Sequence, residues 1–105
     1  MDAQLKRGLL DVCVLAAIKD EDSYGYKMIK DMKPYVVLSE STLYTILKRL
    51  EASEMLTVRA AEHNGRLRKY YRITEADLKR IEDLKRDWAE LMAVYQFVIR
   101  GDGDD

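Results

Sequence analysis

At 105 residues, with 48% hydrophobic residues, the chain is one domain at most, and its modest core is one that a second copy would help to cover. One Cys excludes an intrachain disulfide, and no run approaches the roughly 18 apolar residues of a membrane span, so a soluble, cytoplasmic protein is expected. A net charge of −1 argues at face value against nucleic acid, whose phosphates are met by clustered Lys and Arg.

The average hides a segregation. Residues 1–22 carry three cations and five anions, residues 23–73 ten and five, and residues 74–105 five and nine, which leaves −2, +5 and −4. A basic middle between acidic ends suits a domain with one phosphate-facing surface.

In chain order, a first helix is predicted from Ala3 to Lys19. Only Asp11 interrupts the apolar run "LLDVCVLAAI", so burial nearly all round is expected. Ser23 is a candidate N-cap for a short second helix, Tyr24 to Met32, with Tyr26, Ile29 and Met32 or Lys33 facing inward or along its neighbours and Pro34 as its stop. A third helix covers "SESTLYTILKRL" and ends near Ala52 to Glu54, with Ser39 as its cap and Glu40 in its first turn. Leu43, Ile46, Leu47 and Leu50 recur at i, i+3, i+4, i+7, the stripe of a helix laid on a core. The opposite face carries Ser41, Tyr44, Thr45 and Lys48 instead of the usual Glu and Lys, and is built for contact.

The period then changes. "MLTVRAAE" and "RLRKYYRI" read as two strands, joined by "HNGR" with its Asn-Gly turn signal. Tyr71 and Ile73 share one face of the second strand with Lys69, while Tyr70 shares the other with Arg68 and Arg72. Thr74 and Asp77 are spaced as a capping box that opens a last helix reaching about Arg100. Within it Ile81, Leu84, Trp88, Leu91, Tyr95 and Val98 follow heptad spacing, the stripe of a helix that packs along another helix. A single-chain amphipathic helix fits the period equally well, but so small a domain has little spare core to cover the stripe, which favours a second copy. The tail "GDGDD" is predicted to be disordered.

Three helices followed by a hairpin with a basic tip define a mainly α chain with a small β-hairpin, a winged helix-turn-helix. The expected division is residues 1–73 as the DNA-binding domain, 74–100 as a dimerisation helix and 101–105 as tail. The second helix of such a motif enters the DNA major groove. Tyr44 and Lys48 are then candidates for a base edge or phosphate, and Ser39, Ser41 and Thr42 lie where amides at a helix start attract phosphate. Arg66, Arg68 and Lys69 at the hairpin would hold backbone or reach the minor groove, while Tyr70 and Tyr71 pack the hairpin.

The segments "LKRGLLDVCVLAAI", "SYGYKMIKDM", "LSESTLYTILKRLE" and "RLRKYYRIT" together resemble the PadR family of bacterial transcriptional regulators, over residues 5 to about 78. The resemblance to its small members implies a dimeric repressor with one dimerisation helix, acting on an inverted-repeat operator. It also implies an apolar pocket at the dimer centre for a flat aromatic effector, with Trp88, Leu84, Leu91 and Met92 on the last helix and Leu9, Val12 and Cys13 on the first. The chain departs from the family where Thr45 stands for a usual Pro, adding a donor to the recognition face. It departs again where Glu54 and Asp77 stand for usual Gly, so a differently built turn is expected near Glu54.

Catalysis finds no foothold, since Cys13 lies in the apolar first helix and the only His, His63, at the polar hairpin, so no enzyme, metal or cofactor is expected. Two other functions stay open. The last helix could pair with a different protein, or the chain could hold a ligand and bind DNA weakly.

Overall fold

The computed structural model describes residues 2–103. Its elements are α1 (Ala3–Ala16), α2 (Gly25–Met32), α3 (Glu40–Ala52), β1 (Leu56–His63), β2 (Arg66–Ile73) and α4 (Glu75–Val98). The order and kinds of element are those read from the sequence, and helix α3 is the hub. It packs on α1, α2 and β1, with Leu43, Ile46, Leu47 and Leu50 buried against Val14, Leu15, Ile18, Met28, Leu56 and Tyr71. At about 1.5–3 kcal/mol for each large apolar side chain removed from water, that stripe fixes how α3 sits and leaves its other face outward.

Helix α1 is shorter and less covered than expected. It stops at Ala16, where Ile18 and Lys19 amides donate to the Leu15 and Ala16 carbonyls in tightened i to i−3 bonds. Val14, Leu15 and Ile18 are buried, Leu9, Leu10, Val12 and Cys13 are half-buried, and residues 3–8 are exposed.

Ser23 does not cap α2. The cap position is Tyr24, with no side-chain bond, and Ser23 instead pairs antiparallel with Tyr71 through two backbone bonds of 3.1 and 2.8 Å. This bridge seats the wing on the helices. The hairpin register runs from Leu56 opposite Ile73 to His63 opposite Arg66, and Asn64 and Gly65, with φ of 53° and 78°, form the left-handed two-residue turn that the Asn-Gly pair predicts.

Two further expectations are corrected. Thr74 and Asp77 form no capping box: the Thr74 hydroxyl donates to the Met55 carbonyl at 3.3 Å, and Asp77 is buried beside Arg80 at 3.0 Å, its carboxyl pushed up by burial. The turn after α3 is also built as a glycine turn would be. Glu54 takes φ of 60° and donates to the Glu51 carbonyl, while the Met55 amide reaches back to Leu50, the Schellman closure with a Glu at its left-handed position.

The molecule is elongated, 62 × 27 × 23 Å, because α4 rises about 1.5 Å per residue and only its first turns touch the core. Of the tail expected to be disordered, Gly101 to Gly103 form a turn in which the Asp102 amide donates to Ile99; Asp104 and Asp105 lie outside the described residues.

Candidate nucleic-acid interface

At about 100° per residue, the outward face of α3 has a crest and two shoulders. Ser41 and Lys48 form the crest. Tyr44 lies on one shoulder, in a groove shared with Tyr24, Gly25 and Tyr26 of the α2 start and with His63, Asn64 and residues 66–69 of the wing. Thr42 and Thr45 lie on the other shoulder, facing Ala3, Lys6, Arg7 and Leu10 of α1.

The hydroxyls are partly engaged. Ser39 Oγ accepts from the Thr42 amide at 3.2 Å and donates to Thr42 Oγ1 at 2.9 Å, with Ser41 Oγ 3.2 Å away. Thr45 Oγ1 donates to the Ser41 carbonyl at 2.9 Å. Ser39 and Thr45 thus use their protons within the helix and keep lone pairs for a partner, whereas Thr42 keeps a proton to donate.

Tyr44, 47% exposed, is held and not loose. A Cβ on Gly25 would stand 2.5 Å from its Oη and 2.9 Å from its Cζ, so the ring can lie against the start of α2 only because residue 25 has no side chain. Tyr26, expected to face inward or along its neighbours, is 70% exposed beside this groove, so α2 contributes a second aromatic there.

Of the ten cations of the basic middle, five lie on the wing, and they are not equally free. Asp22 accepts from Arg72 Nε at 2.8 Å and from Arg59 Nε at 3.3 Å, and the Arg72 bond first among these holds its carboxyl below the usual range. Arg68 stacks 3.9 Å over Tyr24, which meets Tyr70 edge-on at 5.8 Å, and Arg59 lies 4.7 Å over Tyr70. This ladder ties Arg68 to the hairpin's base. Arg66 and Lys69 form no ion pair among the described residues and are the wing cations available to an anion.

The family model for the transcriptional regulator PadR-like family matches residues 14–83, more than half of the chain. The chain belongs to the PadR-like family. It is a DNA-binding transcriptional regulator, and the family's members are not enzymes. It is 31% identical to an uncharacterised Lysinibacillus sphaericus protein over 90% of this chain and 92% of that one. A PadR-like regulator from Bacillus cereus superposes with a TM-score of 0.81 at 26% identity, covering 95% of this chain and all of the other. Bacillus subtilis PadR, solved with operator DNA, shares the fold with a TM-score of 0.67 at 20% identity, over 72% of this chain and 46% of that one.

This PadR-like chain has a second unusual surface. Ile81 is 5% exposed and belongs to its own chain's core and Leu84 is half-buried, but from Trp88 onward the stripe of α4 is uncovered, with Trp88 38% and Leu91 61% exposed. Met92, Val94, Tyr95, Phe97 and Val98 are exposed too, so the last turns are apolar over more than half their circumference, and Val94 and Phe97 lie outside the heptad positions. Helices α1 and α4 barely touch within one chain. Leu9, Val12 and Cys13 are therefore not assembled with Trp88, Leu91 and Met92 into one pocket by a single copy. No three His, Cys, Asp or Glu side chains gather to hold a metal, and no helix is long and apolar enough to cross a membrane, among the described residues.

Proposed function

We propose that this protein is a cytoplasmic repressor that binds an inverted-repeat operator as a homodimer, with α3 in the major groove and the wing on the adjoining backbone. The observation that carries the reading is the crest of α3: Ser41 and Lys48 stand outward beside Tyr44, with Arg66 and Lys69 across the groove. The uncovered apolar stripe of α4 supports pairing with a second copy, and two-fold related helices then meet half-sites about 34 Å apart. A flat aromatic effector seated on Trp88 in that seam would bias the spacing of the two wings; such compounds should quench the one tryptophan of each chain at micromolar levels, and no quenching across a broad panel would remove the effector.

The test is a titration of operator and random DNA at several salt concentrations. Tyr44→Ala and Lys48→Ala should each weaken the operator by about 1–3 kcal/mol more than random DNA. Arg66→Gln and Lys69→Gln should weaken both alike and flatten the salt slope by about 0.9 per lost contact. If the α3 variants lost both DNAs equally, the crest would position the protein without reading sequence. The same exposed stripe also favours a second reading, pairing of α4 with a different protein; a homodimer that binds the operator unaided excludes it as the main role.

A further inference from the structure

The shoulder of α3 away from the wing is lined by α1, which sets two cations, Lys6 and Arg7, between the apolar Ala3 and Leu10. Lys6 and Arg7 share a shallow groove with Ser41, Thr42, Thr45 and Arg49 of α3. They are exposed, and neither forms an ion pair among the described residues. Two of the anions near this shoulder are otherwise engaged. Asp11 pairs with Arg49, and Asp2 accepts from the Gln4 amide at 3.4 Å as the cap of α1. Glu40, in the first turn of α3, makes no ion pair with either cation.

A helix with its side chains is about 10–12 Å across, and the major groove is about 12 Å wide. A helix laid in that groove fills it, so whatever flanks the helix on each side meets one of the two phosphate backbones. On one side of α3 stand Arg66 and Lys69 of the wing. We propose that Lys6 and Arg7 are the phosphate-binding pair on the other side, holding the DNA backbone against the start of α1 so that α3 is gripped from both shoulders. This rests on the DNA-binding mode proposed above, with α3 as the groove helix. It adds to it that the first helix is part of the interface, which the −2 charge of residues 1–22 conceals.

The experiment is a titration of the full chain with operator and with random duplex between low and moderate salt, comparing wild type, Lys6→Gln/Arg7→Gln, and Lys85→Gln as an exposed cation on α4. Gln keeps helix propensity close to that of Lys and Arg, and far-UV circular dichroism will report intact folding. The double variant should lose affinity for both duplexes by the same factor, and its slope of log K against log salt should shrink by about 0.9 for each contact removed. Lys85→Gln should leave the slope at the wild-type value. An unchanged slope in the double variant overturns the proposal, as does a loss confined to the operator, which would make these side chains base readers. A wild type whose DNA binding is intact and depends on Tyr44 and Lys48, beside an unaffected double variant, sinks this inference alone; a wild type that binds neither duplex sinks the DNA-binding mode itself.

Discussion

Helices α3 and α4 are both amphipathic, and they end in opposite conditions. In α3 the apolar stripe Leu43, Ile46, Leu47 and Leu50 is wholly buried and what faces out is hydroxyl, phenol and amine. In α4 only Ile81 of the six-residue stripe is buried and Leu84 half-buried, and what faces out from Trp88 to Val98 is mostly hydrocarbon and aromatic. A polar face is stable in water and exchanges its hydration for DNA reversibly, with salt as the control. An apolar face of that extent is stable only when covered, so it suits a permanent partner. The difference matches the roles proposed above, reversible recognition for α3 and lasting assembly for α4.

The largest effect that would break this contrast is expected on α4. Leu91→Glu places a carboxylate in the centre of the proposed seam, where burial of an unpaired charge costs more than about 3 kcal/mol. Sedimentation should find monomers, and operator binding should fall with them because single winged domains meet half-sites separately. A dimer indifferent to Leu91→Glu would place the interface elsewhere.

A smaller effect sharpens the α3 side. Gly25 has room for no Cβ because Tyr44 occupies the space, so Gly25→Ala should displace the Tyr44 ring and lower operator affinity in the direction of Tyr44→Ala. In a Tyr44→Ala background the same change should instead stabilise the fold by about 0.5–1 kcal/mol, the ordinary gain of Ala over Gly in a helix. Thermal melts of the four proteins give the coupling directly. Additive effects would mean that Tyr44 is not held by α2.

The smallest effect concerns the junction where α3 passes to the wing. Glu54 holds φ of 60°, a conformation that costs a residue with a side chain about 1 kcal/mol relative to Gly. Glu54→Gly should raise the melting temperature by a few degrees. It should leave both dimerisation and the operator-to-random ratio unchanged, since Glu54 belongs to neither face.

The helix periods, the Asn-Gly turn, the Ser39 cap and the buried stripe of α3 were legible in the sequence because each depends on residues within a few positions of one another. The polar face of α3 was legible for the same reason. Where distant segments compete for the same group, local patterns failed. Ser23 looked like a cap and became a strand partner of Tyr71, and Thr74 looked like half of a capping box and bonded Met55. Tyr26 fitted a position facing inward or along a neighbour, but the buried face of this two-turn helix is the one that carries Met28 and Met32, and Tyr26 is left outside.

Charge shows the division most clearly. By itself the sequence determined how many cations the middle of the chain carries, and that the third helix has one apolar and one polar face. Only the tertiary structure decided which cations are free: Asp22, counted with the acidic first segment, folds over to hold Arg59 and Arg72 of the wing, while Lys6 and Arg7 of that same segment come to stand beside α3. The reason is physical. Helical and strand periods are set by bonds a few residues long, whereas electrostatic neutralisation falls off over about 10 Å of space and takes no account of how far apart two groups lie in sequence.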